Sequence, residues 1–301
     1  MAPEPPKYLP EDVMRIIFSR VPVKYVIRCR CVCKTWYRII DSRSFVKTHL
    51  TYQNSASNSN KYMLYEVGSL CTLLTHSHSI YDGTLNYSKL YNMKDILRRY
   101  TGNSSIEPGF HGICNGLLCL SHQKYIGLNI YLWNPTCRKI KKLPQYVNSI
   151  KDRYGNPLRM ISLGFGYYDD DFKVIAIAPL ANAYFVSVYS LNTDSWNMIQ
   201  RRFNVDVGVK DEYYYRCNHV YQTKFVDGKV YLIGSEDVIC FDLSNETIRV
   251  IPYPKELGPR VGNRITTETY GDSIAIFKFK RQSQSLTMWI LNEKSSFVPV
   301  W

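Results

Sequence analysis

Three thiols within five residues, Cys29, Cys31 and Cys33, are the first groups in this 301-residue chain that invite a chemical role, as metal ligands. Their spacing speaks against it. On a helix, positions i and i+2 point to different faces, and the second Cys-x-x-Cys knuckle of a zinc site is absent, so the three read as small buried apolar thiols. His76-x-His78 near Cys71 is a second set of donors, but it sits in a polar, poorly patterned stretch and reads as a loop carrying two solvated imidazoles. No metal and no other cofactor is expected. Nor does a Ser-His-Asp set, a Gly-rich phosphate loop or a carboxylate pair stand out, so the chain is read as a non-enzyme. Binding chemistry is left. The basic runs Arg138-Lys139-x-Lys141-Lys142 and Lys278-x-Lys280-Arg281, with Tyr213-Tyr214-Tyr215-Arg216, combine phosphate-contacting and stacking groups and point to nucleic acid as one class of partner. That class ranks second, because the charges are dispersed and the aromatics are scattered through strands where core packing explains them. Asp169-Asp170-Asp171 and Asp211-Glu212 are candidate acidic patches for a basic partner, with solvated turns as the plainer reading.

The elements that would present such groups begin with a small helical cluster. Val13, Ile16 and Ile17 follow i, i+3, i+4 spacing, and Glu11 and Asp12 lie in the first turn, where the helix dipole favours negative charge. Pro22 interrupts the run. Helical pattern resumes with Val26, Ile27, Val32, Trp36, Ile39 and Ile40, while Arg20, Lys24, Arg28, Arg30, Lys34 and Arg38 fill much of the remaining surface, so two or three short helices are predicted. A unit of about 40 residues buries too little apolar area to stand alone, and it must dock on the rest of the chain or on another protein.

The residues of this segment resemble an F-box: Leu9-Pro10, an acidic helix start, Ile16-Ile17, Arg20-Val21-Pro22-Val23, then Arg28 followed by Val32-Cys33-Lys34-x-Trp36. That resemblance implies docking onto the Skp-family adaptor of a cullin-RING (SCF) ubiquitin ligase, with no bond made or broken by the motif itself. The positions matching the pattern, and so implied to carry the contact, are Leu9, Pro10, Ile16, Ile17, Pro22, Val23, Val32, Cys33, Lys34 and Trp36. Cys29 departs from it, standing where the family often places a bulkier apolar residue.

With 45% hydrophobic residues the chain has material for a core and for two unequal domains. No run reaches the ~20 apolar residues that span a bilayer, and Met1 to Lys7 lacks the apolar stretch of a secretory signal, so a cytoplasmic or nuclear protein is expected, with no membrane partner. The nine cysteines form an odd set without a regular framework and are expected to stay as thiols. Gln53 to Asn60 is polar and marks a flexible connection. The predicted organisation is therefore a helical domain over 4–50, a linker over 51–60 and a β domain over 61–301.

Beyond residue 61 the chain is rich in Tyr, Val and Ile, with turns at Asp82-Gly83, Asn115-Gly116, Asp227-Gly228 and Tyr270-Gly271-Asp272, and long helical patterns are missing. Four segments share one plan of apolar strand, polar turn and returning strand. Their aromatic anchors, Trp133, Tyr189, Phe241 and Trp289, lie 56, 52 and 48 residues apart, close to the ~50-residue period of kelch-type blades. A preceding strand accompanies each anchor, at Gly116–Leu120, Lys173–Ile177, Lys229–Ile233 and Ser273–Phe277. Asn115-Gly116 is read as a turn requiring positive φ and Asn134-Pro135 as a strand-ending turn. The fold class is α+β: a small N-terminal helical domain followed by an antiparallel, all-β, kelch-like propeller domain.

Gly112-Ile113-Cys114-Asn115-Gly116-Leu117-Leu118-Cys119, Leu132-Trp133-Asn134-Pro135-Thr136-x-Arg138-Lys139, Leu143-Pro144, Leu163-Gly164-Phe165-Gly166-Tyr167 and Asp171-Phe172-Lys173-Val174 resemble the F-box-associated domain of plant F-box proteins. The nearest flavour is the S-locus F-box group, whose members act as pollen-side receptors in self-incompatibility by recognising stylar S-ribonucleases. Taken together the resemblances imply the substrate-recognition subunit of an SCF ubiquitin ligase. The helical domain would hold the adaptor and cullin complex, and the β domain a target protein, S-ribonuclease being the named candidate, for ubiquitination and proteasomal degradation. Rate would come from proximity alone. A basic nucleic-acid-binding or non-ligase interaction protein is the alternative. Family members usually continue past the fourth repeat, whereas this chain stops at Phe297-Val298-Pro299-Val300-Trp301, so a fragment, a truncated copy or a small propeller with an open sheet edge is expected.

The formal net charge is +13, and residues 1–50 hold ten Lys or Arg against four Asp or Glu. An acidic docking partner gains association rate from that field, which fades within about 8–10 Å at physiological salt. The same field disfavours long-range attraction to a strongly basic target unless a local acidic patch is present.

Overall fold

The structure, a computed structural model, describes residues 9–55, 62–67, 70–78, 85–103, 105–123, 128–145, 162–180, 183–199, 222–234, 237–257, 264–280, 284–292 and 296–300. By compactness the chain divides into one unit of residues 1–108 with 134–139 and a second of 109–133 with 140–301. The linker read at 51–60 lies inside the first of these.

The first unit opens with α1 (Glu11–Arg20), α2 (Val23–Cys29), α3 (Lys34–Asp41) and α4 (Arg43–Ser55). Pro10 and Pro22 each stand immediately before a helix, where a missing N–H costs nothing, and their carbonyls accept the first helical bonds from Met14 and from Tyr25 and Val26. Sulfur takes the capping role at α3, where Cys33 Sγ accepts the Trp36 N–H at 3.5 Å. Ser42 Oγ caps α4 by accepting the Phe45 N–H at 3.4 Å. Phe18, Val26, Ile39, Ile40 and Phe45 form the core of these helices, with Met14, Val21, Cys29 and Trp36 packed around it. Trp36 meets Phe18 edge to face at 4.9 Å between ring centroids.

The helical count exceeds the two or three short helices of the sequence reading. The fourth, α4, runs through Ser55, so the connection expected from Gln53 is still helical at its first three residues. Next come β1 (Tyr62–Val67), β2 (Leu70–His78) and β3 (Leu85–Asn92) in one antiparallel sheet, and α5 (Met93–Thr101). His76 and His78 therefore lie on a strand rather than in a loop. α5 is a helix the sequence reading did not contain. Asn92 Oδ1 caps it by accepting the Lys94 N–H at 2.9 Å, Met93 and Leu97 are buried, and Gly102 ends it at φ +71° with its N–H on the Arg98 carbonyl. Asp82-Gly83 lies outside the described residues.

Four four-stranded antiparallel sheets follow, each made of strands consecutive in sequence. They are β4 (Pro108–Cys114) to β7 (Lys139–Lys142), with β5 (Leu117–Gln123) and β6 (Leu128–Asn134) between; β8 (Ser162–Tyr168), β9 (Asp171–Leu180), β10 (Ala183–Ser190) and β11 (Ser195–Ile199); β12 (Gln222–Val226), β13 (Lys229–Ile233), β14 (Asp237–Asp242) and β15 (Thr247–Pro252); and β16 (Arg264–Tyr270), β17 (Ser273–Lys280), β18 (Ser285–Leu291) and β19 (Phe297–Pro299). Every repeat anchor falls on the third strand of its sheet and every accompanying segment on the second. The fourth repeat has its full set of strands, β19 pairing with β18 from Trp289 to Leu291.

Hairpin turns recur at equivalent places. Asn115-Gly116 and Asp227-Gly228 have positive φ at both residues, the two-residue turn that matches strand twist. Asp169-Asp170 adopts the same conformation without glycine, at φ 51° and 55°. The turn after each third strand ends in a left-handed residue, Arg138, Asp194 or Glu246 in the first three of these sheets. In the second unit, neighbouring sheets pack face on face. Leu132, Leu143, Phe165, Val174 and Tyr189 share one core cluster, Ile175, Val188, Val230, Leu232 and Phe241 the next, and Val238, Ile251, Ile274 and Leu291 a third. Glycine brings β8 close to the following sheet: a Cβ at Gly164 would stand 2.3 Å from Val230 Cγ1, and one at Gly166 2.5 Å from Phe225 Cδ2.

Candidate functional site

The helical unit is inside out over part of its surface. Phe18, Val26, Ile39, Ile40 and Phe45 satisfy its core, yet Ile16 is 56% exposed, Ile17 45%, Val32 63% and Leu9 58%, with Val13, Val23, Tyr25 and Tyr37 also exposed. Apolar side chains of this size on so small a unit have no role in its own packing and mark a surface that meets another molecule.

Polar contacts tie these helices to one another. Arg38 pairs with Glu11, tying α3 to the start of α1, and Arg30 pairs with Asp41, tying the end of α2 to the end of α3. Arg15 donates to Ser42 Oγ at 3.3 Å and to Ser44 Oγ at 3.2 Å, and His49 Nε2 meets the Val21 carbonyl at 2.9 Å, linking α4 to the turn after α1. The guanidiniums of Arg28 and Arg30 lie over the rings of Tyr25 and Tyr37 at 5.8 and 5.0 Å.

Of the ten positions singled out in the sequence, Leu9, Pro10, Ile16, Ile17, Pro22, Val23, Val32, Cys33 and Lys34 are exposed. Trp36 is half-buried, one edge on Phe18. The thiols differ from the sequence reading: Cys29 is half-buried but Cys31 and Cys33 are exposed, because the turn between α2 and α3 carries them outward. Among the described residues no group of three His, Cys, Asp or Glu side chains could hold a metal ion, and no helix is long and apolar enough to cross a membrane.

In the second unit, titratable groups serve the sheets. Tyr189 donates to Asp194 Oδ1 at 2.7 Å and Lys141 reaches Asp194 Oδ2 at 3.0 Å, which ties β7 to the turn after β10. The hydrogen bond from the Tyr189 hydroxyl, then the hydrogen bond and charge of Lys141, hold that carboxyl below its usual range. Trp196 Nε1 donates to the Pro144 carbonyl at 3.0 Å across the same pair of sheets. Asp171 is buried and accepts the Asn192 N–H at 3.0 Å, so it is a structural residue, while Asp169 and Asp170 are exposed and Asp170 accepts the Tyr167 hydroxyl at 2.9 Å. Lys139, Lys141 and Lys142 lie exposed on the outer strand β7, where charge discourages pairing with another chain. Asp211-Glu212 and Tyr213-Tyr214-Tyr215-Arg216 lie outside the described residues.

Sequence reasoning missed one polar pair. His111 Nε2 lies 2.7 Å from Ser121 Oγ, joining β4 to β5, and Thr223 Oγ1 donates to the His111 carbonyl at 2.7 Å. Burial lowers the imidazole to about 4, so it is neutral at physiological pH. Nothing in the spacing of His111 and Ser121 announces this contact; it follows from the hairpin.

Comparison with known proteins finds two family matches in this chain. Residues 8–48 match the F-box domain and residues 64–297 the F-box associated beta propeller domain. Relatives in Arabidopsis thaliana include the F-box protein At3g17480, 26% identical across 96% of this chain and 75% of its own length. The F-box protein At3g08750 is 24% identical across 96% and 71%, and the F-box/kelch-repeat protein At3g23880 is 30% identical across 57% and 45%. A packed helical core with apolar side chains left outside it, followed by repeated four-stranded sheets, is the physical form of that match, and the chain belongs to the F-box proteins that carry an F-box associated beta propeller domain.

Proposed function

We propose that this chain is the substrate receptor of an SCF ubiquitin ligase. The exposed apolar residues of α1 and of the α2–α3 turn dock on a Skp-family adaptor and through it on the cullin, and the β sheets hold a target protein for ubiquitination. The chain itself acts as a non-catalytic scaffold, in the cytoplasm or nucleus. The observation carrying the reading is the outward placement of Ile16 and Ile17 on α1 and of Val32 in the α2–α3 turn, around a helical core that is already packed. Docking buries them, at about 25 cal/mol for each Å² of apolar surface removed from water.

The test is co-purification of the adaptor with Ile16→Asp and Val32→Asp. Both change exposed positions and leave Phe18 and its neighbours in place, so the helices stay folded while adaptor recovery falls at least about tenfold. Undiminished recovery with folded variants overturns the reading. Trp36→Ala is less decisive, since Trp36 also packs on Phe18.

For the target, a basic protein such as a stylar S-ribonuclease is the finer proposal. The exposed Asp169 and Asp170 at the β8–β9 turn support it with local negative charge on a chain of net +13. Pull-down of purified S-ribonuclease by the wild-type chain but not by Asp169→Lys/Asp170→Lys supports that target; equal capture by both removes it.

A further inference from the structure

Among the cysteines whose exposure is described, three are buried and two exposed, with Cys29 and Cys137 half-buried between them. Cys114, Cys119 and Cys240 are buried in the sheets, where loss of solvent pushes the thiol up, to about 12 at Cys114 and about 11 at Cys240. Such groups are poor nucleophiles and out of reach of a reagent. Cys31 and Cys33 are exposed on either side of Val32, the most exposed large apolar residue of the docking face. The segment around them is net basic, although Arg30 pairs with Asp41 and Arg38 with Glu11. Between Asp12 and Asp41 the chain has no carboxylate but holds Arg15, Arg20, Lys24, Arg28, Arg30, Lys34 and Arg38, of which Arg28 and Lys34, close in sequence to the two thiols, are exposed. A net basic segment draws in anionic reagents.

We infer that Cys31 and Cys33 form a thiol modification site on the docking face, taking a small anionic disulfide of the glutathione type, and that its occupation switches adaptor docking off. The inference rests on the adaptor-docking reading above. In the reaction the cysteine thiolate attacks one sulfur of glutathione disulfide. A protein–glutathione S–S bond forms as the original S–S bond breaks, and the departing glutathione thiolate takes up the proton the protein thiol released. The protein sulfur is oxidised and one glutathione sulfur reduced, with no further reagent. The product places a charged tripeptide beside Val32, where an apolar contact has to close, and it neutralises part of the positive field that steers an acidic partner. Reduction by excess thiol restores the face.

The test uses the reduced full-length chain, exposed to glutathione disulfide and then mapped by peptide mass spectrometry, with adaptor binding measured before treatment, after treatment and after dithiothreitol. Modification at Cys31 or Cys33, none at Cys114, Cys119 or Cys240, and an adaptor affinity that falls roughly tenfold or more and recovers on reduction are the expected results. Cys31→Ser and the double Cys31→Ser/Cys33→Ser variant are scored by the ratio of treated to untreated affinity, whatever their basal affinity. The double variant should show a ratio near one. Unmodified Cys31 and Cys33, equal binding by the glutathionylated and reduced chains, or a double variant as sensitive as wild type overturns the inference. Failure of the reduced chain to bind the adaptor at all would instead remove the docking reading beneath it.

Discussion

Ile16 and Phe18 stand two residues apart on α1 and do opposite work. Phe18 is 4% exposed and touches both Trp36 and Phe45 edge to face, whereas Ile16 points to solvent. Phe18→Ala should therefore cost about 3–5 kcal/mol in stability of the helical unit, while Ile16→Ala costs a few tenths and acts on adaptor affinity instead; thermal unfolding alongside adaptor titration separates the two. His111 gives a second measurement. Its imidazole is lowered to about 4 in the folded chain against an ordinary 6.5, so the unfolded chain binds the extra proton first as pH falls. Its contribution is intact above about pH 7 and drains away between about pH 6.5 and 4, on the order of 3 kcal/mol. His111→Gln should flatten that part of the stability profile relative to wild type; an unchanged profile would count against the buried neutral imidazole. At this scale the sequence was informative but blind to sidedness. The stripe Val13, Ile16, Ile17 marked a real helix face, yet spacing alone does not say whether a face meets its own core or another molecule. The thiols failed for a related reason: small apolar groups are usually inside, and only the path of the α2–α3 turn puts Cys31 and Cys33 outside.

Among the elements, the glycines of β8 separate two kinds of constraint. Gly164 lies in an ordinary extended strand but has Val230 Cγ1 where a methyl would go, so Gly164→Ala forces two sheets apart and should cost about 1–3 kcal/mol. Gly116 has open space around it and φ +78°, so Gly116→Ala carries only the left-handed backbone cost of about 1 kcal/mol. Urea unfolding of both variants tests the ordering, and a Gly164 variant as stable as wild type would show that the sheets are less closely apposed. The strands themselves were legible because aromatic anchors recur at nearly constant spacing and two-residue turns punctuate them. α5 was not, although Met93, Ile96, Leu97 and Tyr100 hold helical spacing behind the Asn92 cap; a nine-residue helix inside a β-rich region is too short to compete with the surrounding strand pattern. α4 outran its expected end because Gln53, Asn54 and Ser55 are polar without being helix breakers.

For the whole molecule, charge is divided unevenly: the first fifty residues hold ten of the basic side chains and only four of the acidic ones. An acidic adaptor should accordingly associate several-fold more slowly as salt is raised from about 50 to 300 mM, with dissociation little changed, since long-range attraction acts on encounter and apolar contact on residence. Stopped-flow association at several ionic strengths measures this, and a salt-independent on-rate would show that the basic helices play no steering part. The change from helical to two-residue periodicity near residue 60 was legible, whereas by compactness the chain divides near residue 108; how many strands the last repeat holds was not legible, since a three-residue strand such as β19 leaves almost no pattern. The consecutive order of strands within every sheet has a consequence during synthesis. Each hairpin partner is its immediate predecessor, so a sheet is able to close as soon as its final strand clears the ribosome, and the chain is assembled in instalments from the amino end. Only the faces between finished sheets then wait on later residues, which confines the aggregation-prone interval to the time taken to make one repeat.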